Sequence, residues 1–410
     1  MRLEVDRHAL EIIFRTNGER FEEYPFPEKF YPNSNPNVPF HITWTGQSAK
    51  NDYDFKTIDE VFTDEIHATL DQYDVDSIGV MLSGGIDSAL CLYLVKREYP
   101  DARVVSYHSD WGPTFPAGDE LQGAKNSAKF VDVPLVVIDS SVKAQQSYLE
   151  EALRKTASIN YSVTLFYTAF NLIKKHGIDV SVTGDGVDTF FGGGRFHRVY
   201  YTRTNLRIVP HIQSFLKYEP YILACKMLGT EFAWFVSMIS REPNTLVNNC
   251  GFEFSQLYEK VKDDTLWDLI QNWGASNASY DSFVIARAAN ANGMKVDFPF
   301  MKQSFLDLAG TIKQRNHYNK RIIRMYMADL GFPRVIWEAG WKWDKKGWGG
   351  SVLPYFTPEH MKAVMPSKPD PEYWFTPAGC KIYENAYRNK SSIGYLMTLF
   401  LKILELIEET

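Results

Sequence analysis

Cysteine is scarce in this chain, and its four copies are scattered: Cys91, Cys225, Cys250 and Cys380. None forms a Cys-x-x-Cys pair, which argues against a zinc ribbon or a paired-cysteine sulfur-transfer site. The thiols read instead as buried groups in a reducing compartment. No apolar run is long enough to cross a bilayer. The start, Met1-Arg2-Leu3-Glu4-Val5-Asp6, carries acids and no apolar core, unlike a secretory leader. The formal net charge is only −6, so bulk electrostatics gives no reason to expect a nucleic-acid or membrane partner. A soluble, cytoplasmic protein is expected. Aromatics, at 15% of 410 residues, are plentiful enough to fill a large core. That length allows two domains, or one large domain with an appended helical region.

What is present begins with Ser77-Ile78-Gly79-Val80-Met81-Leu82-Ser83-Gly84-Gly85-Ile86-Asp87-Ser88. A buried parallel strand (Ile78, Val80, Met81, Leu82) breaks into a Ser-Gly-Gly turn and resumes as a helix near Asp87 and Ser88. This is the layout of a phosphate cradle: glycines let the backbone approach an anion, and turn and helix N–H groups point at it. Ser83 and Ser88 add hydroxyl donors. A Gly-Lys-Ser/Thr ending is missing, so this is not a Walker A loop. Asp87 beside phosphates calls for a divalent cation between them.

Around this stretch, Ile58 to Tyr73 has apolar residues at helical spacing. A helix Ala89–Tyr99 leads to a second strand, Ala102 to His108. Asp119-Glu120 opens a further helix, its acids read as capping and dipole-pairing groups, and Pro134–Ile138 is a third strand. The alternation predicts a doubly wound α/β sheet with ligands at the carboxyl ends of its strands. A second strand-to-glycine turn follows at Val180-Ser181-Val182-Thr183-Gly184-Asp185-Gly186-Val187-Asp188, running on to Gly192-Gly193-Gly194. Two carboxylates three residues apart, Asp185 and Asp188, on a tight turn facing a phosphate loop suit Mg²⁺ against a pyrophosphate.

Ser83-Gly84-Gly85-Ile86-Asp87-Ser88 resembles the pyrophosphate loop of the ATP pyrophosphatases. Over roughly residues 56 to 350 the chain is similar to the synthetase domain of the asparagine synthetase and β-lactam synthetase family. The resemblance implies a PP-loop-type (adenine nucleotide alpha hydrolase-like) fold and ATP and Mg²⁺ as cofactors. Ser83, Gly84, Gly85, Asp87, Ser88 and Gly184 would then form the nucleotide site, with Asp87 and Asp188 as metal ligands. Asp185 takes the place of a glutamate linked in the family to the acceptor amine or ammonia, and Thr189 replaces a second glutamate. Lys320-Arg321-Ile322-Ile323-Arg324 is similar to the family's Lys-x-x-Leu-Arg, which makes Lys320 the cation that offsets charge during adenylation and amide formation. Lys345 or Lys346, in the glycine-rich stretch Trp341 to Gly349, would reach a phosphate. Met294 to Met301 resembles another family segment but lacks its charged residues and reads as structural.

Asparagine synthetases carry a glutaminase domain here, with an N-terminal cysteine nucleophile. Here position 2 is Arg2, the first cysteine is Cys91, and residues 1–55 form only a short turn-rich segment, so no glutamine-hydrolysing half is expected. Residues 56–200 are expected to form the ATP-binding core and 201–410 a mostly helical part completing the site, with Trp234, Phe235, Trp267 and Trp273 as core. The tail Ile393–Ile407 is an amphipathic packing or dimer helix, which leaves a homodimer open. The implied function is an AMP- and pyrophosphate-forming amide synthetase acting on a small-molecule carboxylate. Its nitrogen would come from free ammonia, a separate glutaminase subunit, or an amine on the acceptor. The alternatives are an ATP pyrophosphatase acting on a nucleobase or tRNA, or a non-catalytic nucleotide-binding relative.

Overall fold

The computed structural model describes residues 54–110, 118–156, 162–178, 180–193 and 284–339, with isolated helical positions at 197, 267, 271, 282 and between 384 and 406. The segment before residue 54, Trp234, Phe235, Trp273, Lys345, Lys346 and most of the tail helix lie outside the described residues.

The chain enters through α1 (Phe55–Leu70), capped by Asp54, whose carboxylate accepts from the Lys56 N–H at 3.0 Å. Then follow β1 (Ser77–Met81), α2 (Ile86–Glu98), β2 (Arg103–Asp110), α3 (Gly118–Val131), β3 (Leu135–Asp139), α4 (Val142–Thr156), α5 (Val163–Lys175) and β4 (Val180–Thr183). A short helix, α6 (Val187–Phe190), ends the first half. Five strands pair in the order β3-β2-β1-β4-β5, every pair parallel. Strand order therefore reverses between β1 and β4, which makes a doubly wound α/β sheet as the alternation predicts. Helix α2 packs against α3, and α4 against α5, as crossovers on the two sides of such a sheet would. With both faces covered, β1 and β4 read as near-continuous apolar runs, and Ile78, Val80 and Val182 are fully buried.

The fifth strand, β5 (Lys295–Asp297), comes from the segment Met294 to Met301 and pairs with β4 through Val180 opposite Lys295. Three residues are too few to show a period-2 pattern, so the stretch expected to be mostly helical adds a strand that its sequence did not announce. After β5 come α7 (Gln303–Thr311), α8 (Gln314–His317), a 3₁₀ turn (Tyr318–Lys320), α9 (Arg321–Asp329) and α10 (Arg334–Trp337). Part of the aromatic content joins the halves here. Phe62 of α1 meets Phe305 edge-on with centroids 4.4 Å apart, Phe300 at 4.9 Å and Tyr326 at 5.7 Å. Such pairs each add about 0.5–1.5 kcal/mol beyond the burial of their area.

His317 pins this second half to the first. It is fully buried, with Nδ1 3.2 Å from the Phe190 carbonyl and Nε2 3.1 Å from that of Ala309. Burial outweighs those carbonyls and pushes its pKa down from 6.5 to about 4. The unfolded chain therefore takes up this proton first as pH falls. The stability is present above the unfolded value and lost on descending towards the folded one. Between about pH 7.5 and about pH 5 the expected loss from this group is about 2 kcal/mol. Urea titration of wild type and His317→Gln at both pH values checks it: an equal pH-dependent loss in the two proteins removes His317 as the cause.

Candidate active site

The loop after β1 is closed from within. The buried Ser88 hydroxyl accepts from the Ser83 N–H at 3.1 Å and lies 3.2 Å from the Gly85 carbonyl, to which it donates. The two serine hydroxyls are 3.0 Å apart. Ser83 and Gly85 are exposed at the rim. Gly84 has φ +88°, and a Cβ on it would sit 2.0 Å from the Glu120 carbonyl oxygen. From the other side, a Cβ on Gly123 would fall 2.4 Å from the Gly84 carbonyl oxygen. The cradle is thus braced against α3 by backbone contact that only glycine permits. Gly85 stands at the N-cap of α2 and brings no side-chain cap, which leaves the first-turn amides to an anion.

The loop after β4 abuts this cradle. A Cβ on Gly184 would lie 2.6 Å from both the Asp87 carbonyl carbon and the Ser88 nitrogen, so the two glycine motifs meet backbone to backbone at the switch point. Asp185 is half-buried and accepts from the Thr183 hydroxyl at 2.6 Å. Burial raises its pKa, Asp188 adding to the effect and the Thr183 bond opposing it. Asp188, on α6, has a side chain 52% exposed.

Lys320 reaches this point from the far end of the described chain. Its Nζ lies 2.6 Å from Asp87 Oδ2 and 2.5 Å from Asp188 Oδ1. Burial alone would depress its pKa, but the two carboxylates outweigh that and hold it above the ordinary lysine value. Asp87 is pushed up to about 6, first by burial and then by Asp188, with Lys320 pulling the other way. Its second oxygen, Oδ1, is buried and has no hydrogen-bond partner. The backbone that delivers the lysine is strained. Asn319 (φ 48°) and Lys320 (φ 57°) are consecutive left-handed residues, each costing on the order of 1–3 kcal/mol.

Gly193 closes the cluster. A Cβ there would fall 1.8 Å from Asp188 Oδ1 and 1.9 Å from Lys320 Cε. Both atoms belong to movable side chains, so Gly193→Ala is expected to leave the melting temperature near wild type while scattering the cluster. Turnover should drop on the order of a hundredfold, the cost of misplacing a catalytic group by about 1 Å. A wild-type rate in this variant would show that the cluster is not the reacting centre.

The donor set fits a divalent cation. Two carboxylates from the first turns of α2 and α6 face each other across an ammonium, and one buried carboxylate oxygen has no protein donor. Among the described residues no group of three or more His, Cys, Asp or Glu side chains gathers for a metal. A cation here would draw its remaining ligands from substrate oxygens and water, as Mg²⁺ beside phosphates does.

A profile of the family described as asparagine synthase matches residues 57–342, from α1 to just beyond α10. The chain belongs to the asparagine synthase family. Over 123 residues it is 28% identical to "Asparagine synthetase [glutamine-hydrolyzing] 2" of Oryza sativa subsp. japonica. That match covers 28% of this chain and 21% of the rice protein, so the chain spans about a fifth of that relative's length. Among solved structures, the U34-tRNA thiolase NcsA from Methanococcus maripaludis, with its [4Fe-4S] cluster, matches at 13% identity with a TM-score of 0.28, covering 56% of this chain and 90% of that one.

Of the residues singled out in the sequence, Ser83, Gly84, Gly85, Asp87, Ser88, Gly184, Asp185, Asp188 and Lys320 come together around the ends of β1 and β4. Lys346 lies outside the described residues. Sequence reasoning missed Gly123, Gly193 and Asn319. A glycine inside the α3 pattern was the signal for the first. Gly193 stood within the Gly192-Gly193-Gly194 run without a role assigned to it, and Asn319 had no signal, because what requires both is a neighbour far along the chain.

Proposed function

We propose that this asparagine synthase family member is an ATP-dependent amide synthetase that adenylates a carboxylate and transfers ammonia or an amine to it. The observation that carries the reading is the meeting of Asp87, Asp188 and Lys320 at the mouth of the loop after β1. The overall reaction balances as carboxylate, ATP and amine giving amide, AMP and pyrophosphate. Ser83, Gly84, Gly85 and Ser88 bind the phosphates through backbone N–H and hydroxyl donors. Asp87 and Asp188 would hold Mg²⁺, which when bound offsets charge on the pyrophosphate leaving group. Lys320 turns its ammonium from the carboxylates towards the α-phosphate and then stabilises charge at the carbonyl under attack. Asp185, its proton affinity raised by burial, takes a proton from the incoming nitrogen.

Pyrophosphate release from ATP and Mg²⁺ over a panel of carboxylates, with and without ammonium, tests the reading. Release with one compound, and amide formed from it, is the expected result. Tight ATP binding without release for any carboxylate, amine-bearing ones included, would overturn it.

A further inference from the structure

Lys320 is aimed by a backbone that ordinary residues avoid, and something must hold it there. Arg324, one turn into α9, is 3% exposed. Its Nε donates to the Asn319 carbonyl at 2.9 Å and its Nη2 to Asn319 Oδ1 at 3.3 Å. Its Nη1 donates to the carbonyls of Trp337 and Ala339 at 2.6 and 2.8 Å. One planar guanidinium thus grips both polar ends of the left-handed Asn319 and ties them to the turn that ends α10. That turn leads into the basic, glycine-rich stretch beginning at Trp341. Lysine, a point donor on a flexible stem, cannot span these acceptors at once.

We propose that Arg324 is a positioning residue: by clamping the left-handed Asn319–Lys320 turn, it holds the Lys320 ammonium between Asp87 and Asp188. The clamp rests on the role given to Lys320 above, but its geometry can be tested without the reaction. Burying this arginine also has a cost, visible in a pKa drawn down to about 10 chiefly by burial and held there against the pull of Asp87, Asp188 and Glu338. Packing alone does not call for a charged group at this position.

The experiment is trace acetylation of the ligand-free protein with acetic anhydride at neutral pH, read at Lys320 by mass spectrometry, with Lys302 as internal control. Lys302 pairs with Asp297 and takes no part in the clamp. In Arg324→Lys, Lys320 should label about tenfold faster at neutral pH as its ammonium leaves the two carboxylates, with Lys302 unchanged. Adding Asn319→Gly, which adopts the left-handed backbone without strain, should return Lys320 to near wild-type protection. Unchanged Lys320 labelling in folded Arg324→Lys, or no recovery with glycine, would overturn the clamp. If Arg324→Lys does not fold, Asn319→Ala keeps the arginine but strains the turn, and its Lys320 labelling must rise by the same logic; an unchanged rate overturns the proposal. Because labelling needs no ATP, a wild-type protein that releases no pyrophosphate would count against the function alone.

Discussion

Asp188→Asn should cut Mg²⁺-dependent pyrophosphate release about 10²–10³-fold, the scale of removing one preorganised electrostatic contact from a reacting centre. Asp87→Asn should cost at least as much, because Asp87 lies deeper and carries the unpartnered oxygen best placed for a cation. Both changes are isosteric and remove only charge. Asp188 has a side chain half in water, so its own loss of charge costs little, but the change leaves the buried Lys320 with a single counter-ion and should lower the melting temperature measurably. Asp87→Asn also leaves Lys320 with a single counter-ion, but it removes a charge whose burial is costly, so its melting temperature should fall less than the lost counter-ion alone implies. A titration of release against Mg²⁺ concentration separates metal binding from the chemical step: the requirement for Mg²⁺ should rise in both variants. Wild-type turnover in both would remove these carboxylates from the mechanism.

Lys320→Met is expected to have the largest effect on turnover, about 10³–10⁵-fold, in the range measured for cations that stabilise phosphoryl-transfer transition states. Nucleotide affinity should fall far less, since the loop after β1 and the first turn of α2 are untouched. Removing the ammonium leaves two carboxylates facing one another, and Asp87 should then bind its proton more tightly than its present value of about 6. The stability cost should stay below the roughly 3–5 kcal/mol of a fully buried broken pair, because Asp188 remains half-solvated. Lys320→Arg should not restore the rate, because a planar fork does not fit a gap in which the side chain is only 13% exposed. Full retention of product formation in Lys320→Met would refute the assignment, and equal loss of ATP binding would reduce Lys320 to a docking contact.

The first half of the sheet was legible because its signals are local. Ile78 to Leu82 followed by Ser-Gly-Gly, and Val180 to Thr183 followed by Gly-Asp-Gly, each state strand, turn and helix within a dozen residues. Helix α1 was read at Ile58–Tyr73 and lies at Phe55–Leu70; Asp54 sets its start, and a cap is weaker in sequence than an apolar stripe. The pair α4 and α5 went unread between the third strand and β4. Strand β5 escaped because its partner, not its composition, makes it a strand. The candidate site divides in the same way. Asp87 and Asp188 announce themselves through glycine turns, whereas Gly193, Asn319 and the reach of Arg324 to Ala339 exist only once distant segments touch.

Strand β5 has a consequence for how this scaffold changes over time. Between the end of β4 at Thr183 and the start of β5 at Lys295, the chain runs for more than a hundred residues before returning to the same sheet. Closing so long an excursion is slow, because parallel pairing over that separation must wait for a rare encounter. Its cost, however, grows only logarithmically: doubling the excursion would add about 0.6 kcal/mol. Insertions and deletions between the two strands are therefore thermodynamically cheap, while a single methyl at Gly184, which would meet the backbone of Asp87 and Ser88, is not. Beyond Gly193, that excursion can change in length at little cost to the residues that gather around Asp87.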